Sequence, residues 1–248
     1  MGVNIGSTAG YLWLDSWVMA NVIYLSTLSF CRRFLNRTND PCGRQYDQMT
    51  QAARSVQANI AEGAARHQTS AETELKLTDV ARASLSELAT DYLCFIMARG
   101  EAAWPKSRPE WAAVQATRLA KPNYGSDLMH DVSAHIIAQK RLFEPWTESA
   151  DASTAANAIL ILCGRLTTML RKQMAGRMEL FRQEGGFTEN MTAERLAAIK
   201  AKAAVDGAPP CPLCGKPMVR RMARKGQNSG REFWSCQDYP ACRGTRNA

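Results

Sequence analysis

The chain has 248 residues, 46% hydrophobic and 22% charged, which is enough length and apolar content for one or two domains with a real core, and argues against a solvated, disordered polymer. The formal net charge is +8, but eight Lys and Arg against two acids from Cys211 onward place +6 of it there, leaving +2 for the first 210 residues. Such a gradient points to a basic C-terminal module with an anionic partner.

Tyr11 to Phe30 is mostly apolar, with Asp15 its only charge, so its length alone would suit a membrane span. It also carries Ser16, Asn21, Ser26, Thr27 and Ser29, with neither a basic start nor a small-residue cleavage site. The segment is expected to be the first, well-buried helix of a soluble bundle. Asp40-Pro41 reads as the start of a second helix, on which Tyr46, Met49, Ala53, Val56 and Ile60 recur three or four apart. Gly63 is expected to loosen the chain, and Thr69 with Glu72 reads as a capping box for a third helix. Its stripe is Leu77, Val80, Ala81, Leu85, Leu88, Tyr92 and Phe95.

Residues 100–147 interrupt this pattern with Trp104, Trp111, Trp146 and four prolines, and predict a helix around Asp127 to Arg141. The favoured reading is an elaborated connection whose aromatics pack on the bundle, and the alternative is a partner-binding face. His130 and His135 are five apart near Asp127 and Asp131, a spacing that does not put both on one helical face, so no metal site is assigned to them. A long helix is predicted from about 150 to 184, with Ile159, Leu162, Cys163, Leu166, Met169, Leu170, Met174, Met178 and Phe181 inward and Gly185-Gly186 ending it. Asn190 reads as the cap of a short helix, and Asp206 to Pro210 as a hinge.

The fold class is therefore mainly α. It is an up-and-down four-helix bundle at residues 1–186 with a helical insertion at 100–147, then a helical linker at 187–207 and a small β module at 208–248. Ser55-Val-Gln-Ala-Asn59-Ile-Ala-Glu62-Gly63-Ala, with Ser70-Ala-Glu72 and Ala83-Ser84-Leu85-Ser86-Glu87-Leu88, resembles the four-helix-bundle family of ribosomal intervening-sequence proteins and of the accessory variability determinant of diversity-generating retroelements. That resemblance implies a homo-oligomer, a ring-shaped pentamer in that family, and a reverse transcriptase as partner. The insertion at 100–147 is a departure from the family, and it puts the pentamer in question. Read as residues, Asn59, Glu62 and Gly63 are a structural motif: Asn59 and Glu62 share a helical face near a glycine, and neither has a nucleophile or base partner.

The C-terminal module holds Cys211-x2-Cys214 and Cys236-x5-Cys242, with Gly226 and Gly230 between the pairs. Two thiolates from one tight turn and two more from a second pair make a tetrahedral S4 shell suited to one Zn2+, whose binding would fold a segment too small to fold alone. Its cations are Lys216, Arg220, Arg221, Arg224, Lys225, Arg231, Arg243 and Arg246, and Phe233, Trp234 and Tyr239 lie among them. Cations that follow phosphates and aromatic faces that stack unpaired bases suit single-stranded DNA or RNA, with one or two of the three aromatics expected in the module's own core. Cys211-Pro-Leu-Cys214-Gly, Val219-Arg-Arg, Gly230-Arg-Glu-Phe-Trp-Ser-Cys236 and Tyr239-Pro-Ala-Cys242-Arg-Gly resemble the C4 zinc ribbon at the carboxyl end of bacterial type I topoisomerases. In that family the ribbons bind single-stranded DNA and the four cysteines hold zinc. The resemblance carries no topoisomerase activity, because nothing upstream looks like its catalytic core.

No phosphate-cradling glycine loop, HExxH pair or serine nucleophile elbow is present, so no catalytic residue is assigned. Thiolate ligation with four scattered cysteines, Cys31, Cys42, Cys94 and Cys163, favours a reducing, cytoplasmic location. Arg32, Arg33, Arg37, Arg44, Arg54 and Arg66 read either as a basic surface or as solvated helix faces. The function expected is non-enzymatic nucleic-acid binding by an oligomeric bundle displaying zinc ribbons, without membrane association. The alternative is a protein-interaction scaffold whose ribbon is a structural docking tail.

Overall fold

In the computed structural model, the described residues are 9–36, 38–66, 70–185, 191–198, 201, 208–224 and 229–247. Thr69, Gly186, Asn190, Asp206, Arg37, Lys225 and Gly226 lie outside them. The chain is mainly helical with a small C-terminal three-stranded sheet, and it divides into two units, Met1–Glu184 and Gly185–Ala248.

In the first unit a 3-10 turn at Ala9–Trp13 leads into α1 (Asp15–Phe34). An acid in the first turn and Arg32 and Arg33 in the last complement the helix dipole. Trp17, Val18, Met19, Val22, Ile23, Phe30 and Cys31 are all buried, so the apolar run of the sequence is used against protein. The second helix, α2 (Arg44–Ala65), begins three residues later than Pro41. Asp40 still caps it, at longer range, by accepting the N–H groups of Gln45 (3.2 Å) and Tyr46 (2.9 Å) across a turn closed by Gly43 at φ +66°. Its predicted stripe is the buried one, with Met49, Ala53, Val56 and Ile60 inaccessible.

Gly63 does not loosen α2. It lies buried within the helix, where an added Cβ would sit 3.4 Å from the Glu74 carbonyl and from Leu77 Cβ. The missing side chain lets α2 meet α3 (Ala71–Ala98) closely. The cap of α3 is Ser70, whose hydroxyl accepts the Thr73 N–H at 3.1 Å. Its buried positions are Glu74, Thr78, Ala81, Ser84, Leu85, Leu88, Tyr92 and Ile96, a face built mostly of three- and four-residue steps, whereas Val80 is 48% exposed. Three polar residues, Glu74, Thr78 and Ser84, thus lie on the buried face that apolar counting assigned partly to Val80.

The insertion folds into α4 (Pro109–Ala116), α5 (Leu128–Arg141) and α6 (Glu144–Thr147). Asp127 caps α5 as the predicted boundary requires, while α4 and α6 were not foreseen because each is too short to show a stripe. Trp104, Trp111 and Trp146 pack against the core and Phe143 is fully buried, so the insertion does use its aromatics as packing. Arg33 extends from α1 to the carbonyls of Thr147 (2.6 Å) and Ser149 (2.9 Å), which makes it a tie for α6 rather than part of a basic surface.

α7 (Ala152–Glu184) buries Ile159, Leu162, Cys163, Leu166 and Leu170. It packs on α1 and α3, and α2 packs on the same two helices. Ser16 near the start of α1 bonds Gln173, while Arg33 near its end reaches residues just before α7, so α1 and α7 run antiparallel. Glu74 with Arg177, and Arg99 with Ser153, give α3 the same sense against α7. Met178 (45%) and Phe181 (39%) are exposed, contrary to the stripe reading. At about 1.5 Å per residue, α7 is roughly 50 Å long and α1 roughly 30 Å, so the last turns of α7 have less to pack on. Ala152–Gln183 is, among the described residues, the one helix long and apolar enough to cross a membrane, and 56% of its 18-residue apolar stretch is buried inside the fold.

In the second unit residues 191–198 are helical. The sheet that follows is an antiparallel meander of β1 (Met218–Met222), β2 (Glu232–Cys236) and β3 (Thr245–Asn247). Its small core comprises Cys211, Met218 and Cys236, with Trp234 and Cys242 packed against them.

Candidate metal centre and nucleic-acid interface

Cys211 and Cys214 lie on a turn that Gly215 completes at φ +70°, its N–H donating to the Cys211 carbonyl at 2.9 Å. The turn is held to the sheet by the Cys211 N–H, which donates to the Lys216 carbonyl at 2.8 Å. Cys236 ends β2, and a second turn, Tyr239 N–H to the Cys236 carbonyl and Cys242 N–H to the Asp238 carbonyl, brings Cys242 back beside it. All four sulfurs lie within 4.8 Å of one another, with Cys211 to Cys242 at 3.8 Å and Cys214 to Cys236 at 3.5 Å. Four sulfurs at about 2.3 Å from a tetrahedral ion are about 3.8 Å apart, so these residues form one Zn2+ site.

The protonation of the cluster favours a metal. Burial opposes ionisation of Cys211, but the N–H groups of Leu213 and Cys214 directed at its sulfur bring its pKa down to about 7. The Asp238 N–H does the same for Cys236, yet burial and the neighbouring thiols outweigh it and push Cys236 up to about 12. Four adjacent thiolates repel, and a divalent cation removes that repulsion. The other cysteines are unlike these: Cys31 and Cys163 are buried and raised to about 12 by desolvation, and Cys42 and Cys94 are exposed.

Gly244 belongs to the site and was missed as a functional position. A Cβ there would overlap the Cys211 sulfur and stand 3.7 Å from that of Cys242, while its carbonyl accepts the Cys236 N–H at 2.8 Å. The only signal in the sequence was a glycine two residues after the last ligand.

Strand register places the candidate contact residues. Arg220 is opposite Trp234, and Trp234 opposite Arg246, so one face of the sheet carries an Arg-Trp-Arg row across all three strands. The Arg220 guanidinium lies 5.5 Å from the Trp234 ring centroid and 3.4 Å from Glu232. Arg221 and Phe233 pair on the opposite face, where the Arg221 guanidinium lies 5.8 Å from the ring of Tyr239. Trp234 is half-buried against the core, Phe233 is half-buried, and Tyr239 is 55% exposed. Lys216 pairs with Asp238, so each of the ribbon's two acids engages one cation. Arg224, Arg231, Arg243 and Arg246 are exposed, and Lys225 lies outside the described residues.

In the first unit, Asn59 donates to the Ser55 carbonyl (2.9 Å) and hydroxyl (3.0 Å), and Ser55 bonds Ser84 of α3 at 3.0 Å. The Asn59 side chain thus joins a link between α2 and α3, and the Glu62 side chain is exposed. His130 is exposed beside Asp131, while His135 packs edge-on against Tyr124. Among the described residues the cysteine cluster is the one grouping with metal-binding geometry.

Residues 209–248 match the family described as the topoisomerase DNA-binding C4 zinc finger. The match takes in the ribbon and no part of the helical unit. No curated protein and no solved structure matches the chain. The C-terminal segment is therefore a zinc ribbon similar to a family described as DNA-binding, and a nucleic-acid partner is compatible with its charge and with the exposed ring of Tyr239.

Proposed function

We propose that the protein is a non-enzymatic nucleic-acid-binding protein whose zinc ribbon grips single-stranded DNA or RNA. The observation that carries this reading is the Arg220-Trp234-Arg246 row on a ribbon whose family is described as DNA-binding. The two arginines suit backbone phosphates and the indole between them suits an unpaired base. Zinc supplies the fold of the module and takes no part in chemistry.

The helical unit is read as an up-and-down four-helix bundle of α1, α2, α3 and α7. It is supported by their mutual packing and by the antiparallel senses of α1 and α3 against α7. The Asn59-Ile-Ala-Glu62-Gly63 resemblance supports a homo-oligomeric accessory role in the cytoplasm, with a reverse transcriptase as partner. A lone ribbon contacting a few phosphates binds with a dissociation constant of about 10⁻⁶ M or weaker, and several in one oligomer raise avidity by about 10²-fold or more.

Fluorescence anisotropy with single-stranded DNA, single-stranded RNA and duplex across a salt series, comparing the full chain with one truncated after Gly207, tests the reading. Salt-sensitive binding that collapses on truncation supports it. Equal binding by both chains moves the grip to the helical unit, and no binding by either leaves the protein-interaction scaffold as the better reading.

A further inference from the structure

A cavity lies in the helical unit. It is bounded by residues 103–106, α4 and the outer face of α7, has a volume of about 410 Å³, and is lined among others by Trp104, Lys106, Trp111, Gly164, Arg165 and Thr168. Both indoles are half-buried, packing partly on the core and lining the cavity. Arg165 is fixed there by donating to the carbonyls of Val114 (2.8 Å) and Thr117 (2.7 Å). Lys106 is exposed on the rim, and Arg108 lies 4.8 Å above the Trp104 ring. No carboxylate lines the cavity. The volume falls in the range of small-ligand sites, and its chemistry selects a planar ligand that carries negative charge.

We propose that this cavity takes one unpaired nucleotide of a single strand, with its base against Trp104 and Trp111 and its phosphate toward Lys106 and Arg165. The proposal rests on the reading of nucleic acid as the partner but adds a contact outside the ribbon. It gives the insertion a binding role as well as a packing one. An aromatic face with an adjacent cation is the combination that single-strand binders use, and stacking tolerates any base. Gly164 provides the means to close the cavity, because a Cβ there meets nothing within 4 Å, so a larger side chain enters open space rather than the core.

The test uses the full zinc-loaded chain and a thymine-rich strand bearing 5-bromodeoxyuridine, cross-linked by light and mapped by mass spectrometry, with anisotropy in parallel. Trp104 or Trp111 is expected to carry the adduct. Gly164→Leu and Lys106→Glu should each remove it and weaken strand binding at least about fivefold, the low end of one stacked base, with unchanged circular dichroism. Arg246→Glu in the ribbon should leave the adduct in place. Absence of an adduct at Trp104 or Trp111, or parental affinity in Gly164→Leu, overturns the proposal, while the ribbon reading is judged separately by Arg246→Glu. Binding of adenosine monophosphate that Gly164→Leu abolishes, without any strand adduct, would identify a free-nucleotide site and overturn the strand assignment.

Discussion

Nε of Arg177 on α7 lies 2.6 Å from Oε2 of Glu74 on α3, and the two side chains are only 14% and 8% exposed. Glu74 occupies the first buried position of the α3 stripe, four residues before Thr78, so the charge pair stands where an apolar contact would otherwise join the helices. Removing one partner of a buried pair leaves an uncompensated charge, whereas replacing both with apolar residues removes the desolvation cost as well. Glu74→Ala is expected to destabilise the helical unit by about 3 kcal/mol, and Glu74→Leu with Arg177→Met by much less. Urea denaturation followed by helical circular dichroism measures both. Equal losses in the single and double variants would show that the pair itself stabilises the helical unit, beyond the cost of stranding one buried charge.

The ribbon was legible in the sequence to the level of its ligands because metal geometry imposes residue type and spacing at once. Cys211, Cys214, Cys236 and Cys242 are brought together as their spacing required. Helix faces were legible where the stripe is apolar, as on α2, and illegible where it is polar, as at Glu74 and Thr78 on α3. Gly63 was misread because a glycine that ends a helix and one that admits a neighbouring helix look alike in one dimension; only the 3.4 Å approach of Glu74 and Leu77 distinguishes them. The outward turn of Met178 and Phe181 was hidden for a related reason, since periodicity reports a face and not the length of its partners. The pairing of Arg220 and Arg246 with Trp234 depends on strand register, which composition does not encode.

Zinc binding should be strongly pH-dependent. Cys236 is held up to about 12 in the absence of metal, so at neutral pH the ion must displace its proton; below about 7 Cys211 is protonated as well. The metal-free state binds more protons than the loaded state, so acidification favours the metal-free state. Apparent affinity is expected to fall by at least about tenfold per pH unit lost. Competition with a chromophoric chelator across a pH series reads this directly, with one Zn2+ per chain at saturation. A flat profile would mean that the thiols are already ionised without metal.

Gly244→Ala should damage the zinc site although it alters no ligand. The new Cβ would overlap the Cys211 sulfur, and the ribbon can accommodate it only by moving that sulfur or the strand whose Gly244 carbonyl holds Cys236. Disturbing groups that orient ligands costs about 10- to 100-fold in metal affinity. Gly230→Ala is the comparison, because that position has φ +86° but nothing within 4 Å of the added atom, so it tests backbone strain alone. Zinc affinities of the two variants against the parent decide the matter; parental affinity in Gly244→Ala would show that the ribbon relaxes freely around Cys211.

The two arginines that flank Trp234 should not contribute equally to nucleic-acid binding. Arg220 lies 3.4 Å from Glu232, which already neutralises part of its charge, whereas Arg246 on β3 is exposed and has no ion pair among the described residues. A cation that contacts one phosphate adds about 0.7 to the steepness of the salt dependence on a single strand. Arg246→Gln should therefore lower that slope by about 0.7, and Arg220→Gln by less. Glu232→Gln should strengthen binding by freeing Arg220, and should then make Arg220→Gln as costly as the Arg246 change. Anisotropy titrations of a labelled single strand over a range of salt separate these contributions. Equal slopes for the parent and Arg246→Gln would place the phosphate path on the opposite face of the sheet, along Arg221 and Phe233.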